Sequence, residues 1–195
     1  MQVVGLTGGI GSGKTTVLEL FKAKGIPCYI SDLEAKRLMV ESTVIRNHVT
    51  MLFGEESYAD NKLNTSYLAQ IVFSDKEKLE ALNKIVHPVV KEDFQRFVKN
   101  QNTPYVIYES AVLLNNGIPD YIDKVISVIA EESLRIDRVV ARDNVKKEDV
   151  KKRISRQLSQ DELIKNADFI IENNNLSFSE LENNVNLIHK QLMSI

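Results

Sequence analysis

The glycine-rich segment VVGLTGGIGSGKTT, at residues 3–16, constrains the fold more than any other feature of the chain. Five of the eight glycines lie within the first thirteen residues, although each glycine loses extra backbone freedom on folding. An apolar stretch at residues 1–6 precedes the loop and is typical of a strand buried on both faces, and an amphipathic pattern follows at residues 14–24. This order of strand, loop and helix predicts the start of a βαβ unit.

The loop sequence GGIGSGKT, at residues 8–15, fits the phosphate-binding pattern G-x-x-x-x-G-K-S/T. Its backbone N–H groups and the helix N-terminus are expected to bind the phosphates of ATP. Lys14 is expected to reach the β- and γ-phosphates, and the Thr15 hydroxyl to bind Mg²⁺. The predicted ATP contacts are Gly9, Ile10, Gly11, Ser12, Gly13, Lys14, Thr15 and Thr16. A dinucleotide-binding loop is not favoured, because the third residue after Gly11 is a lysine.

Further apolar runs predict four more strands, at residues 26–30, 105–108, 124–129 and 169–171. Helical spacing occurs at residues 33–41, 43–53, 65–73, 75–86, 89–99 and 176–193, and in a charged stretch at residues 135–165. The predicted fold is α/β, an open parallel five-stranded sheet of the P-loop NTPase type flanked by helices. We expect a single domain over residues 1–195, with a core at residues 1–32, 101–134 and 158–195, a helical lobe at residues 33–100 and a lid at residues 135–157.

Composition limits the location and the partners of the chain. The net charge of −2 argues against bulk binding to nucleic acid, and no apolar run approaches the length of a membrane span. Cys28 is the single cysteine, so no intrachain disulfide forms, and we expect it to be a core residue. The N-terminal stretch lacks the basic region of a signal peptide. We expect a cytoplasmic monomer.

Two acidic residues follow predicted strands and are candidates for catalysis. Asp32 follows the second strand, so we expect it at the carboxyl edge of the sheet beside the loop, where it acts on an acceptor hydroxyl. The stretch SDLE at residues 31–34 also fits a capping box with Ser31 as the cap, and the two interpretations are compatible. Glu109 follows the third strand and is a candidate for the Mg²⁺ shell or for a solvated strand end.

A basic run follows the fourth predicted strand. It comprises Arg138, Arg142, Lys146, Lys147, Lys151, Lys152, Arg153 and Arg156. Most runs of this kind are solvated faces. Arg142 is nevertheless expected to bind the oxygens of a transferring phosphoryl group, because a guanidinium can form paired hydrogen bonds with them. Neither a D-x-x-G nor an N/T-K-x-D motif occurs in the chain, so a kinase is favoured over a GTPase switch.

These motifs together resemble the dephospho-CoA kinase family, and the resemblance covers nearly the whole chain. The segments that carry it, in chain order, are GLTGGIGSGKTT, Asp32, FG at 53–54, LAQIVF at 68–73, LNKIVHP at 82–88, RVVARD at 138–143, RISRQ at 153–157 and ADFIIEN at 167–173. The phosphate-binding loop alone is shared by many families. Its ordered combination with the His-Pro pair is much more specific.

The resemblance implies transfer of the γ-phosphate of ATP to the ribose 3′-hydroxyl of dephospho-CoA, which gives CoA. It assigns Asp32 to the acceptor hydroxyl, places His87 in the acceptor-binding lobe and Asn173 near the adenine, and makes the Arg142 region the lid. Three segments depart from the family pattern. Residues 63–65 lack an expected arginine, residues 111–115 lack an expected proline and glutamate, and Arg135 stands where a glutamine is frequent.

Two alternatives to this reaction stay open at the level of sequence. A nucleoside or nucleotide kinase has the same core, and a non-catalytic nucleotide-binding module has the same loop. A panel of acceptors distinguishes the first alternative, and slow phosphate release without transfer would favour the second.

Overall fold

The computed structural model describes residues 1–60, 62–73 and 75–194. It divides the chain into two compact units, one formed by Met1–Tyr29 with Gln101–Ile195 and the other by Ile30–Asn100. The first unit contains the glycine loop, and the second is mainly helical.

The first unit is built on a five-stranded sheet in the order β2-β5-β1-β6-β7. Its elements are β1 (Gln2–Gly8), α1 (Lys14–Ala23), β2 (Cys28–Ile30), β5 (Tyr105–Glu109), β6 (Lys124–Ile129), α6 (Glu132–Asp143), α7 (Lys147–Ile154), α8 (Gln160–Lys165), β7 (Phe169–Glu172) and α9 (Phe178–Met193). Strand β1 lies in the centre and pairs in parallel with β5 and β6, and β6 pairs in parallel with β7. The predicted open parallel sheet is confirmed.

The core of the first unit lies on both faces of β1. Val4 and Leu6 are fully buried, as a central parallel strand requires. Helix α1 packs with Val17, Leu18, Leu20 and Phe21 buried, and α9 with Leu181, Val185, Ile188 and Leu192 buried, at the spacing of one helical face. Cys28 is half-buried, and burial raises the pKa of its thiol to about 12, so the thiol stays protonated and unreactive.

The second unit packs three helices against one long helix. Its elements are α2 (Ser31–Glu41), α3 (Thr43–Phe53), a 3₁₀ turn (Glu55–Ser57), β3 (Tyr58–Ala59), β4 (Lys62–Leu63), α4 (Thr65–Phe73) and α5 (Lys76–Lys99). Strands β3 and β4 form a short antiparallel pair that the sequence analysis did not predict. Ile45 and Val49 of α3 and Phe94 of α5 are among its most buried side chains.

Two local predictions in the second unit are wrong. The predicted break near Pro88 does not occur, and α5 runs unbroken through it. Buried side chains on both sides of the proline, Val86 and Val90, hold the helix together, and Pro88 itself is exposed. The predicted capping box at Ser31 does not form either, because Ser31 is already the first helical residue and the cap position is Ile30. None of the described helices has the length and apolar character needed to cross a membrane.

Candidate nucleotide-binding and catalytic site

The glycine loop joins β1 to α1 in a conformation that side chains disfavour at Gly11 and Gly13, among other positions. Gly11 and Gly13 have φ angles of 77° and 99°, in the region that side chains disfavour. A side chain at Gly11 would collide with the backbone of Arg135, and one at Gly13 with the amide of Asn173. Within the loop, the N–H of Ser12 donates to the carbonyl of Gly9 at 3.1 Å. The loop is therefore a tight turn packed closely against other parts of the first unit.

Helix α1 begins at Lys14 with the properties of an anion-binding site. No side chain caps it, and its first turn, KTTV at residues 14–17, contains no acidic residue. The first N–H groups of a helix lack intrahelical partners, and the helix dipole makes that end positive. The ammonium group of Lys14 donates to the carbonyl of Gly8 at 2.7 Å, so the side chain folds back along the loop. Thr15 and Thr16 are exposed in the same turn.

Arg135 of α6 and Gln157 hold the loop through the peptide groups of Ile10. The Nε of Arg135 donates to the carbonyl oxygen of Ile10 at 3.0 Å, and the N–H of Ile10 donates to Oε1 of Gln157 at 2.9 Å. Arg135 also donates from Nη2 to the same Gln157 oxygen at 3.1 Å. Arg135 is 7% exposed, and this burial lowers the pKa of its guanidinium.

Asn173 and Arg138 hold the other side of the loop. The buried amide of Asn173 donates to the carbonyl of Ser12 at 2.9 Å, and its own backbone N–H donates to Ile129 at 2.8 Å. Arg138 donates from Nη2 to the carbonyl of Asn173 at 2.9 Å and from Nη1 to that of Gly11 at 3.4 Å. Asn173 thus links the end of β7 to the loop.

Arg142 lies at the opposite end of α6 from the residues that hold the loop. It is seven residues beyond Arg135, or about 10 Å along a helix axis. Its side chain is 63% exposed and pairs with Asp143, at 2.7 Å from Nε and 3.2 Å from Nη2. The hydrogen bond raises the pKa of Arg142 and lowers that of Asp143, which also accepts from Arg153 at 3.3 Å.

The remaining predicted site residues are Asp32, His87 and Glu109, and they are exposed or half-buried. Asp32 is exposed in the first turn of α2, and His87 is exposed on α5; both belong to the second unit. Glu109 is half-buried at the end of β5, opposite Leu6 of β1. The structure therefore gathers Arg135, Arg138, Gln157 and Asn173 around the loop.

Arg135 and Gln157 were not predicted to contact the glycine loop. They are the two ends of the predicted lid at residues 135–157; Arg135 also stood out as a departure from a family pattern, and Gln157 as the end of RISRQ. One signal was available: Arg135 precedes Ile136 and Val139, which are the buried face of α6, so an arginine at that position had to be partly buried. A buried arginine requires acceptors, and loop carbonyls provide them.

The start of α1 offers one side chain suited to hold a metal ion. In the described ranges, no group of three or more His, Cys, Asp or Glu side chains is placed to hold a metal ion. The exposed Thr15 hydroxyl at the start of α1 is the hard oxygen donor that Mg²⁺ prefers. A protein that contributes one or two oxygen ligands, with phosphates and water supplying the rest, is the usual arrangement for Mg²⁺ with ATP.

The family model and the curated relatives name the same family. The family model described as dephospho-CoA kinase matches residues 2–178. A dephospho-CoA kinase of Salinibacter ruber is 41% identical over 177 residues, which cover 89% of each chain. One of Bacteroides fragilis is 39% identical over 171 residues, which cover 87% of this chain and 83% of the relative. The crystal structure of a Thermus thermophilus protein is 31% identical with a TM-score of 0.86, over 98% of this chain and 97% of that one.

Proposed function

The chain belongs to the dephospho-CoA kinase family and phosphorylates dephospho-CoA with ATP, and we propose that Lys14, Asp32 and Arg142 carry out this transfer. The observation that carries the proposal is the uncapped start of α1 beside the tightly turned glycine loop, with Lys14 at its first position. A nucleoside or nucleotide kinase, the alternative reaction, is not favoured, because the family and both relatives are dephospho-CoA kinases.

The loop binds the triphosphate of ATP through N–H groups and one ammonium group. We assign phosphate contacts to the N–H groups of residues 13–15, where α1 begins, and of the adjoining glycines Gly9 and Gly11. Thr16 contributes its exposed hydroxyl, since its N–H donates to the carbonyl of Gly13 at 3.1 Å. Ile10 and Ser12 contribute by shaping the loop, since their N–H groups already donate to Gln157 and Gly9. Lys14 exchanges the carbonyl of Gly8 for the phosphates, which increase in negative charge during transfer.

Thr15 is the residue proposed to hold Mg²⁺ when it arrives with ATP. Its hydroxyl would be a ligand of the ion, and the bound ion would supply positive charge beside the phosphates during transfer. Asn173 is proposed to lie near the adenine, since it follows β7 and is fixed against the loop at Ser12. Its side-chain amide is already engaged with Ser12, so its role toward the base is one of placement.

Asp32 is proposed to accept the proton of the acceptor hydroxyl. The ribose 3′-oxygen then forms a bond to the γ-phosphorus, the bond to the β–γ bridging oxygen breaks, and ADP leaves. An exposed carboxylate directly after β2 suits this role, because an ionised carboxylate is an acceptor. The helical lobe at residues 33–100 is proposed to hold dephospho-CoA, with His87 on the acceptor side.

Arg142 is proposed to cover the transferring phosphate as part of a lid at residues 135–157. Its side chain is exposed, and its surface contacts with Asp143 are weak in water. Exchange of that carboxylate for phosphate oxygens is therefore an easy step. We further propose that the protein acts as a cytoplasmic monomer.

The test of this function is ADP release with and without dephospho-CoA, in the wild type and in Asp32→Asn. We expect ADP release to require dephospho-CoA, and Asp32→Asn to bind both substrates and lose about 10²–10⁴-fold in turnover, the usual contribution of a positioned base.

The matched control is Asp161→Asn, an exposed carboxylate in the first turn of α8. It removes the same favourable interaction with a helix dipole, worth about 0.3–1 kcal/mol, and we expect unchanged turnover. Full activity in Asp32→Asn would show that Asp32 does not accept the proton of the acceptor hydroxyl. ADP release that does not depend on dephospho-CoA, or that responds to a nucleoside instead, would remove the proposed reaction.

A further inference from the structure

We propose that Arg135 is a positioning residue for ATP, which acts by fixing the peptide groups of Ile10 in the glycine loop. This inference rests on the proposed function, because it concerns how the loop receives the nucleotide. We refer to Arg135 and Gln157 together as the Ile10 clamp.

The clamp holds both polar groups of one loop residue. The Ile10 carbonyl accepts from Nε of Arg135 at 3.0 Å, and the Ile10 N–H donates to Gln157 at 2.9 Å. The bond of 3.1 Å from Arg135 to Gln157 closes the triangle. The two peptide planes that flank Ile10 are therefore fixed from one side, and the N–H groups that follow in the loop are oriented by them.

The side chain of Ile10 is held as well. It packs against an apolar cluster formed by Ile136 and Val139 of α6 with Val150 of α7, all of them buried. Polar contacts therefore attach Ile10 to α6 and to the loop that follows α7, and apolar contacts attach it to α6 and α7. A change in the position of α6 and α7 will move Ile10, and a phosphate bound to the loop will in turn favour one position of these helices.

Arginine suits this position for geometric reasons. Its guanidinium presents several donors in one plane, and here it lies directly against Gly9, where an added side-chain carbon would overlap it. Gln157 accepts two hydrogen bonds at the same oxygen, which orients its amide. The guanidinium also places a buried positive charge beside an anion-binding loop.

The experiment compares Arg135→Met, Arg135→Lys and Gln157→Met with the wild type. Met keeps length and removes the donors, and Lys keeps the charge and one donor. We expect Arg135→Met to raise the KM for ATP about tenfold, with kcat lowered less than threefold and the KM for dephospho-CoA unchanged. Arg135→Lys should recover part of the ATP affinity. Binding of a fluorescent ATP analogue, measured without acceptor, should weaken in the same order.

A double variant tests whether the two clamp residues act together. If they do, Arg135→Met with Gln157→Met will raise the KM for ATP no more than the worse single variant, because residues in one network are not additive. Lys165→Met, which removes an exposed cation in the last turn of α8, is the control and should match the wild type.

Three results would overturn the proposal. They are an unchanged KM for ATP in Arg135→Met, equal changes in the KM of both substrates with a lowered melting temperature, and single effects that multiply in the double variant. If Arg135→Met fails to fold, Arg135→Lys and Gln157→Met decide on the same readouts. A wild type that binds the ATP analogue and does not phosphorylate dephospho-CoA refutes the proposed function, and analogue binding by the variants still decides this inference.

Discussion

Replacement of Asn173 by alanine tests whether its side chain braces the glycine loop or recognises the adenine. The amide of Asn173 donates to the carbonyl of Ser12 at 2.9 Å, and the residue is 7% exposed. Its backbone bonds to Ile129 and Arg138 do not involve the side chain. Asn173→Ala therefore removes one buried hydrogen bond and leaves the end of β7 in place.

The expected loss of stability follows from that single bond. A buried carbonyl that loses its donor costs about 1–3 kcal/mol. For a domain of 150–250 residues, each kcal/mol lowers the melting temperature by about 2–4 °C, so we expect a decrease of about 2–12 °C. The KM for ATP should rise because the loop loosens, and the preference for ATP over GTP should stay unchanged because the side chain does not read the base.

The assay combines thermal unfolding, followed by circular dichroism, with KM measurements for ATP and GTP. Asn174→Ala is the matched control, because the neighbouring Asn174 is exposed and its side-chain oxygen accepts from the N–H of Glu131 at 2.8 Å. We expect that control to lose less than about 1 kcal/mol. An Asn173→Ala protein with the melting temperature of the wild type and a lost preference for ATP would refute the bracing role and assign the side chain to the adenine.

Three further predictions concern single residues. Lys14→Ala should fold normally and lose measurable transfer in an ADP-release assay, and near-normal turnover would contradict the role of the loop. Arg142→Lys should lower turnover far more than ATP affinity, because lysine keeps the charge without the planar fork; wild-type kinetics would move the role to another arginine. Burial raises the pKa of Asp168, but hydrogen bonds from Lys124 and from the N–H of Val125, each 2.8 Å, outweigh it and hold that pKa below its usual value. The resulting stability is present above about pH 4 and lost as the pH falls through the lowered pKa, so urea titrations should show Asp168→Asn less stable than wild type at pH 7, with the difference shrinking as the pH is lowered below about pH 4.

The sheet was predictable because its signal is contained in short segments. A strand buried on both faces is a continuous apolar run, and Val3 to Leu6 and Lys124–Ile129 are such runs. Helix boundaries depend on competition between neighbours and were less predictable. Ser31 was predicted to cap α2 and lies inside it, whereas Ser159 and Ser177 form true capping boxes with Glu162 and Glu180.

Tertiary packing also overrides the usual effect of proline in α5. Pro88 removes one backbone donor, a cost that an isolated helix would express as a break. In the folded unit, the buried residues Val86, Val90 and Phe94 lie on one face, so a break would separate side chains that pack together. No rule based on residues near Pro88 alone contains this information.

The candidate site also has a part that could be predicted from the sequence and a part that could not. Residues 8–16 were predictable because the phosphate-binding loop is encoded in consecutive residues and depends on backbone shape. The residues that hold the loop come from far along the chain: Arg135 is 125 residues from Ile10, Gln157 is 147, and Asn173 is 161 from Ser12. Such contacts depend on the order of the strands, which places the segments after β6 and β7 on one side of β1.

The arginines of α6 show what a charge pattern leaves out. Arg135, Arg138 and Arg142 share a helical face by spacing, but burial decreases along the helix from Arg135, which is 7% exposed, to Arg142, whose side chain is 63% exposed. The first bonds the loop and the last bonds a surface carboxylate. Displacing the first would break buried hydrogen bonds, whereas displacing the last breaks only a solvated ion pair. One helix therefore has a buried end whose arginine holds the glycine loop and an exposed end whose arginine is the one proposed to bind the transferring phosphate.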